Sequence, residues 1–326
     1  MTASPILQVD GLVKHFPIKG GLFGKRQVVR AVDGVTFDVA AGETLGIVGE
    51  SGCGKSTTAR LLVQLIEPDT GQITFNGKLL GRDLSLRELR RHVQMVFQDS
   101  YASLNPRLTM EDAIAFGPQV HGVPEGKARQ LARDLLDRVG LDPQRFAGRY
   151  PHELSGGQRQ RVNIARALAF EPEVIVLDEA VSALDKSVEA QVLNLLVDLR
   201  QERKLTYVFI SHDLNVVRFI SDRVMVMYLG EVAEIGPVED IYERPGHPYT
   251  QALLAAMPSM DPDQRTEKVP LSGDPPNPIN PPSGCRFHTR CAHAFARCGQ
   301  VAPPPIELNP GHRAACHLLR EEPKAA

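Results

Sequence analysis

The chain has 326 residues, 42% of them hydrophobic and 23% charged, with a formal net charge of −2. That length suits one large domain with an appendage or two small ones, and the composition is that of a globular protein able to bury a sizeable core. The near-neutral balance argues against a general binder of nucleic acid or anionic membrane, which carries a basic excess. No stretch reaches the roughly 18 uninterrupted apolar residues of a membrane-spanning helix. The start Met1-Thr2-Ala3-Ser4-Pro5 lacks the basic and apolar regions of a secretion signal. The expected location is the cytoplasm, with any membrane role exercised through a partner.

Along the chain, Gln8–Leu12, Val35–Val39 and Leu45–Val48 read as short strands between Gly-rich turns, and the Gly/Lys-rich stretch 20–26 as an exposed loop. Ser56–Ile66 reads as a helix ending near Pro68. In 125–141, Leu131, Leu135, Leu136 and Val139 have the spacing of an amphipathic helix, placing a helical insert between two strand-rich stretches. Val174–Leu177 and Tyr207–Ile210 are continuous apolar runs, suited to parallel strands covered on both faces, and the helical pattern of 188–203 supplies the crossover between them. Beyond about residue 258 the composition changes: 12 of the 25 prolines lie from 259 onward. Residues 259–283 read as a linker and 284–317 as a small Cys-bearing module. There is no internal repeat.

Gly49-Glu50-Ser51-Gly52-Cys53-Gly54-Lys55-Ser56 fits G-x-x-x-x-G-K-[ST] between an expected strand and an expected helix. Glycines let the backbone curl so that N–H groups converge on an anion, and the helix start adds partial positive charge. Lys55 brings a full charge to the outer phosphates and Ser56 can ligate Mg²⁺, with Thr57 behind it; Cys53 reads as a small loop residue without redox work. Asp178 and Glu179 close an apolar strand. Asp178 is then placed for the Mg²⁺ shell and Glu179 to orient or deprotonate an attacking water, although an acidic pair also caps helices.

Leu154-Ser155-Gly156-Gly157-Gln158 opens a second helical run with another anion-binding start. It resembles the ABC signature, and the remaining motifs of that family follow in order. Gln98 resembles the Q-loop glutamine, which reads Mg²⁺ and meets the membrane subunit. Ser182-Ala183-Leu184-Asp185 resembles the D-loop. His212 resembles the switch histidine at the γ-phosphate, and Phe16 sits where the family stacks an aromatic on adenine. Ala180-Val181 departs from the Pro-Thr of many members, at positions that do no phosphate chemistry. The resemblance implies an α/β P-loop NTPase of ABC type: a mostly parallel sheet core, an antiparallel β-subdomain and a helical insert at about 99–165, all within residues 1–258. It also implies head-to-tail pairing, in which Ser155, Gly156, Gly157, Gln158 and Asp185 close on the partner's ATP. Catalysis would fall to Glu179 and His212. ATP would be bound by Phe16, residues 49–57, Gln98 and Asp178, with Mg²⁺ held at Ser56 and Gln98.

Three further stretches, 97–107, 243–250 and 280–285, are similar to the ATPases of dipeptide and oligopeptide importers. That resemblance implies a peripheral subunit on the cytoplasmic face of the membrane. Its partners would be a second, related ATPase chain, two transmembrane permeases and an extracytoplasmic substrate-binding protein, with no nucleic acid. The rival reading is a soluble ABC ATPase acting on DNA or ribosomes, for which the long coiled-coil insertions are missing. Tyr101 and Leu104 are expected to form an exposed apolar groove for a permease helix.

Cys285, Cys291, Cys298 and Cys316 are spaced C-x5-C-x6-C-x17-C. Disulfides are disfavoured in the cytoplasm. Zinc suits four thiolates, with His288, His293, His312 or His317 as substitutes, but structural zinc sites favour close C-x2-4-C pairs. Wider spacing suits an iron–sulfur cube, and the importer resemblance implies a [4Fe–4S] cluster. Residues 259–326 are thus expected to be a linker plus a metal-organised module set apart from the nucleotide site.

Overall fold

The structure is a computed structural model that describes residues 5–18, 27–257 and 276–319. The stretch 20–26 and residues 259–275 of the expected linker lie outside them.

Two sheets form around two cores. β1 (Pro5–Ile18) and β2 (Gln27–Ala40) pair antiparallel, and β1 also pairs with β4 (Thr70–Phe75), which pairs with β5 (Lys78–Leu79). β1 and β2 are far longer than the short strands their sequence suggests. Register shifts between Val9 and Leu12, Leu12 and Val13, and Lys14 and His15 interrupt the alternation that a strand pattern relies on.

The main sheet starts with β3 (Thr44–Val48), buried at every position as its unbroken apolar run requires. α1 (Lys55–Leu62) follows; it stops short of Ile66 because Gln64 takes φ 54° and Leu65 N–H donates to Arg60 O, turning the chain out of the helix. α2 (Leu86–His92) leads into β6 (Val93–Val96). The helical insert then runs through α3 (Met110–Val120), α4 (Glu125–Arg138), α5 (Pro143–Phe146) and α6 (Gly156–Leu168). In α4 the buried residues are Ala128, Ala132, Leu135 and Leu136, the inward stripe of an amphipathic helix. β7 (Val174–Asp178), α7 (Lys186–Arg203) and β8 (Thr206–Ile210) make the expected crossover. α8 (Leu214–Ile220), β9 (Arg223–Tyr228), β10 (Glu231–Pro237), α9 (Val238–Glu243) and α10 (Pro248–Ala255) complete the nucleotide-binding domain, followed by β11 (Ile306–Asn309) and β12 (His312–Ala314).

The large sheet has the order β11-β12-β10-β9-β3-β8-β7-β6. Neighbours from β9 to β6 are parallel and the three remaining strands antiparallel. This corrects the separate C-terminal module: β12 pairs with β10 through Glu234↔Ala314 and Ile235↔Arg313, so residues 306–314 extend the main sheet. The seam is buried and polar. The Glu234 carboxylate, fully buried, accepts from the backbone N–H of Gly246 (2.6 Å) and His247 (3.0 Å), and His312 Nε2 lies 2.7 Å away. Beside it Phe287 meets Tyr228 edge-on at 5.3 Å and packs against Tyr249. The segment shares its core with the main domain.

Candidate functional site

The phosphate loop leaves β3 at Gly49, whose φ is 148° and where an added Cβ would stand 2.2 Å from Met227 O. Gly54, φ 110°, approaches Ala31 O equally closely. Both positions exclude any side chain. Lys55 is buried and donates to Gly49 O (2.7 Å) and Glu50 O (3.1 Å). Cys53 is buried beneath the loop, and burial pushes its thiol above the ordinary cysteine range, which fits a packing residue without redox work.

Ser56 Oγ donates to Asp178 Oδ1 at 2.9 Å, joining the start of α1 to the end of β7. Burial raises the Asp178 carboxyl, the Ser56 hydrogen bond pulls it back, and the neighbouring Glu179 charge raises it further. The next residue, Glu179, has φ 48°, rare for a non-glycine, and its N–H donates to Ile210 O (3.0 Å). This bend turns the carboxylate into the cleft. There Gln98 Nε2 donates to Glu179 Oε2 at 2.8 Å, and His212 Nδ1 lies 3.5 Å from the same oxygen. A cleft of about 390 Å³ is lined by Ser51, Gly52, Gly54, Lys55, Ser56, Thr57, Gln98, Glu179 and His212, together with Ala31 and Val29. Residues separated by as many as 183 positions thus converge on one small volume.

Phe16 lies opposite Val29 in the β1–β2 ladder, 38% exposed, with Lys14 Nζ 5.8 Å from its ring centre. It stands next to a lining residue without lining the cleft itself. Ser155, Gly156, Gly157, Gln158 and Asp185 do not line the cleft either. Ser155 caps α6, its side chain accepting from Gln158 N–H while the Gln158 side chain accepts from Ser155 N–H, a reciprocal capping box. Asp185 is the N-cap of α7, but its side chain makes no capping bond.

Sequence reasoning missed a third layer. Glu50 Oε2 lies 2.7 Å from Arg290 Nη1 and Oε1 lies 3.1 Å from Nη2, and Glu50 N–H donates to Tyr249 Oη at 2.9 Å. Tyr249 is fully buried at the start of α10.

The five cysteines are free thiols. Cys285 N–H donates to Cys298 O (2.8 Å), and the Cys285 thiol is pushed up to about 11 by burial, with the charges of Cys316, Cys298 and Cys291 adding to it. The four thiols therefore lie within electrostatic reach of one another. Among the described residues, however, no three of His, Cys, Asp and Glu are grouped closely enough to hold a single metal ion. Three of the four histidine substitutes are engaged elsewhere: His288 Nδ1 with Cys285 O (2.8 Å), His312 Nε2 with Glu234 and His317 Nε2 with Val301 O (2.8 Å). Leu104 is corrected as well. It is 3% exposed, part of the core, whereas Tyr101 is 50% exposed.

Among the described residues no helix is long and apolar enough to cross a membrane. Residues 32–182 match the ABC transporter family and residues 233–298 the oligopeptide/dipeptide transporter C-terminal region. The chain is 52% identical to a probable peptide ABC transporter ATP-binding protein of Sinorhizobium fredii, over 96% of this chain and 90% of that protein. It is 51% identical to the oligopeptide transport ATP-binding protein AppF of Bacillus subtilis, over 96% and 97% respectively. Among solved structures, cbiO1 of Clostridium perfringens, part of the transporter complex cbiONQ, aligns with a TM-score of 0.61 at 28% identity, covering 74% of this chain and 92% of cbiO1. The ATP-binding cassette MJ0796, solved as a dimer with ADP and Pi, aligns at 0.61 and 30%, covering 71% and 98%. Near-complete coverage at half identity leaves one assignment: this chain belongs to the ATP-binding subunits of ABC transporters, in the branch that carries the oligopeptide/dipeptide transporter C-terminal region.

Proposed function

We propose that the chain is the ATP-hydrolysing subunit of an importer for di- or oligopeptides, and that Glu179 is its catalytic base. The observation that carries this is the convergence of Gln98 and His212 on one Glu179 oxygen beside the Ser56–Asp178 pair. The N–H groups of Ser51, Gly52, Gly54 and the start of α1, with the Lys55 ammonium, bind the phosphates of ATP. Ser56, Asp178 and Gln98 would hold Mg²⁺, which when bound neutralises charge on the β- and γ-phosphates. Glu179 orients the attacking water and accepts its proton, while His212, beside it, donates to the γ-phosphate. Phe16 lies beside the cleft wall where an adenine ring can stack.

The signature residues Ser155, Gly156, Gly157 and Gln158 lie outside their own cleft, and the Asp185 carboxylate is uncommitted as a cap. This supports head-to-tail pairing with a second ATPase, a related chain, so that each signature closes on the other's ATP. Closure by two ATP molecules and reopening after hydrolysis is a population shift driven by a ligand that binds one state better. Two transmembrane permeases receive the motion, and an extracytoplasmic binding protein delivers the peptide. Tyr101, Phe116 at 59% exposure and Val120 at 62% offer apolar surface on the helical insert for the permeases. The chain then works at the cytoplasmic face of the membrane without entering it. The relatives' peptide-transport names argue against the rival role on DNA or ribosomes.

Cys285, Cys291, Cys298 and Cys316 would hold a [4Fe–4S] cluster, which when bound cross-links the C-terminal segment. The C-x5-C-x6-C-x17-C spacing and the mutual electrostatic influence of the four thiols support that reading. Anaerobic purification tests it: a brown protein with iron and sulfide in equal amounts is expected, and a colourless one refutes it. The transport role is tested by reconstituting the complex in vesicles. ATP-dependent peptide uptake that Lys55→Ala abolishes is expected; undiminished uptake with Lys55→Ala contradicts it.

A further inference from the structure

We propose that Arg290 is a positioning residue for nucleotide binding: it fixes the phosphate loop from the C-terminal segment by clamping Glu50. Glu50 is the second residue of the loop, directly after the Gly49 that turns the chain. Its carboxylate meets the Arg290 guanidinium as a two-pronged fork, at 2.7 and 3.1 Å. The Arg290 side chain is 6% exposed and that of Glu50 21%, so the pair is largely shielded from water and salt.

The clamp has a rigid base. Arg290 Nη1 also lies 3.3 Å from Tyr228 Oη, and Tyr228 packs at 4.5 Å between ring centres on Tyr249. The Tyr249 hydroxyl accepts from Glu50 N–H. Glu50 is thus held by its side chain from the C-terminal segment and by its backbone from α10. A nest binds anions tightly only when its N–H groups are already aimed, because aiming them on binding costs conformational entropy. Arg286, four residues earlier, ties the same segment to Asp33 and Glu231 but does not reach the phosphate loop. It therefore separates positioning of the loop from stapling of the segment.

The proposal rests on residues 49–56 binding nucleotide. The test is titration of the full-length chain with a fluorescent ADP analogue, alongside its melting temperature. Losing one two-pronged charged contact in Arg290→Gln should weaken binding about tenfold. Arg290→Lys keeps the charge without the fork and should fall between Arg290→Gln and the wild type. Glu50→Gln should match Arg290→Gln, and the double variant should be no weaker than either single one. Arg286→Gln should lower the melting temperature while leaving affinity within about twofold of the wild type. Arg290→Gln binding like the wild type, full additivity of the two Gln substitutions, or equal weakening by Arg286→Gln would each overturn the proposal. If Arg290→Gln does not fold, Glu50→Gln reads the same contact from the loop side with the same two outcomes. A wild-type chain that bound no nucleotide would sink the underlying reading instead.

Discussion

Gly157→Ala separates the signature from the chain's own nucleotide site. A Cβ at Gly157 would stand 2.3 Å from Val188 Cγ1, on the first turn of α7. Ordinary contact needs more than an ångström beyond that, and a β-branched side chain in a helix has one good rotamer with which to give way. Overpacking of this kind costs about 1–3 kcal/mol, while replacing a helical glycine by alanine returns up to about 1 kcal/mol. The net loss is roughly 0–3 kcal/mol, a melting shift of a few degrees for a chain of this size. The start of α6 must nevertheless move away from α7, carrying Ser155 and Gly156 out of register with a partner's ATP. Calorimetry should show a mild shift, nucleotide binding by the isolated chain should be unchanged, and hydrolysis by the assembled ATPase pair should fall at least tenfold. Val188→Ala removes the obstructing methyls and should restore hydrolysis. Normal turnover by Gly157→Ala, or no rescue by Val188→Ala, would refute the reasoning.

Two other outcomes follow from burial. Leu104→Asp places a charge in the core and should unfold or strongly destabilise the helical insert, whereas Tyr101→Asp and Phe116→Asp, on exposed sites, should uncouple peptide uptake while leaving the isolated chain's ATPase intact; scanning calorimetry paired with vesicle uptake distinguishes the two. Burial pushes His247 down from 6.5 to about 4. The unfolded chain takes up that proton near 6.5 and the folded chain only near 4, so stability present above pH 6.5 is lost as pH falls through this window, up to about 3 kcal/mol. In His247→Asn, which retains a capping acceptor for Tyr249 N–H, the melting temperature should fall less steeply between pH 6.5 and 4; an unchanged slope would contradict the assignment.

The gathering of Lys55, Asp178, Glu179 and His212 at one cleft was legible because its parts are local. Asp178, Glu179 and His212 lie at or just past the ends of short apolar strands, Lys55 opens the helix that follows another, and a parallel sheet brings such ends together on one edge. Ser155 likewise announces its helix through the capping box with Gln158. What stayed hidden is carried by contacts without sequence periodicity. Arg290 lies 240 positions from Glu50, in a stretch that reads as a separate Cys-bearing module although Phe287 and β12 dock on the main domain. Leu104 looked exposed because its neighbours are polar, yet the tight turn set by Asp99, whose carboxylate accepts from Tyr101 and Ala102 N–H, folds it inward. Separation of the four-cysteine segment from the nucleotide site is also withdrawn. Cys291 adjoins Arg290, so Cys291→Ser is expected to reach the phosphate loop as well as its own surroundings.

The most direct test is the single-turnover rate of ATP hydrolysis by Glu179→Gln in the assembled transporter, with bound nucleotide identified after quenching. The amide matches the carboxylate in shape and can still accept from Gln98, but it cannot take a proton from water. Hydrolysis should fall by about 10²–10⁴-fold, with unhydrolysed ATP retained in a closed ATPase pair. Turnover at the wild-type rate would contradict Glu179 as the base and, with it, the account of how this chain converts ATP into transport.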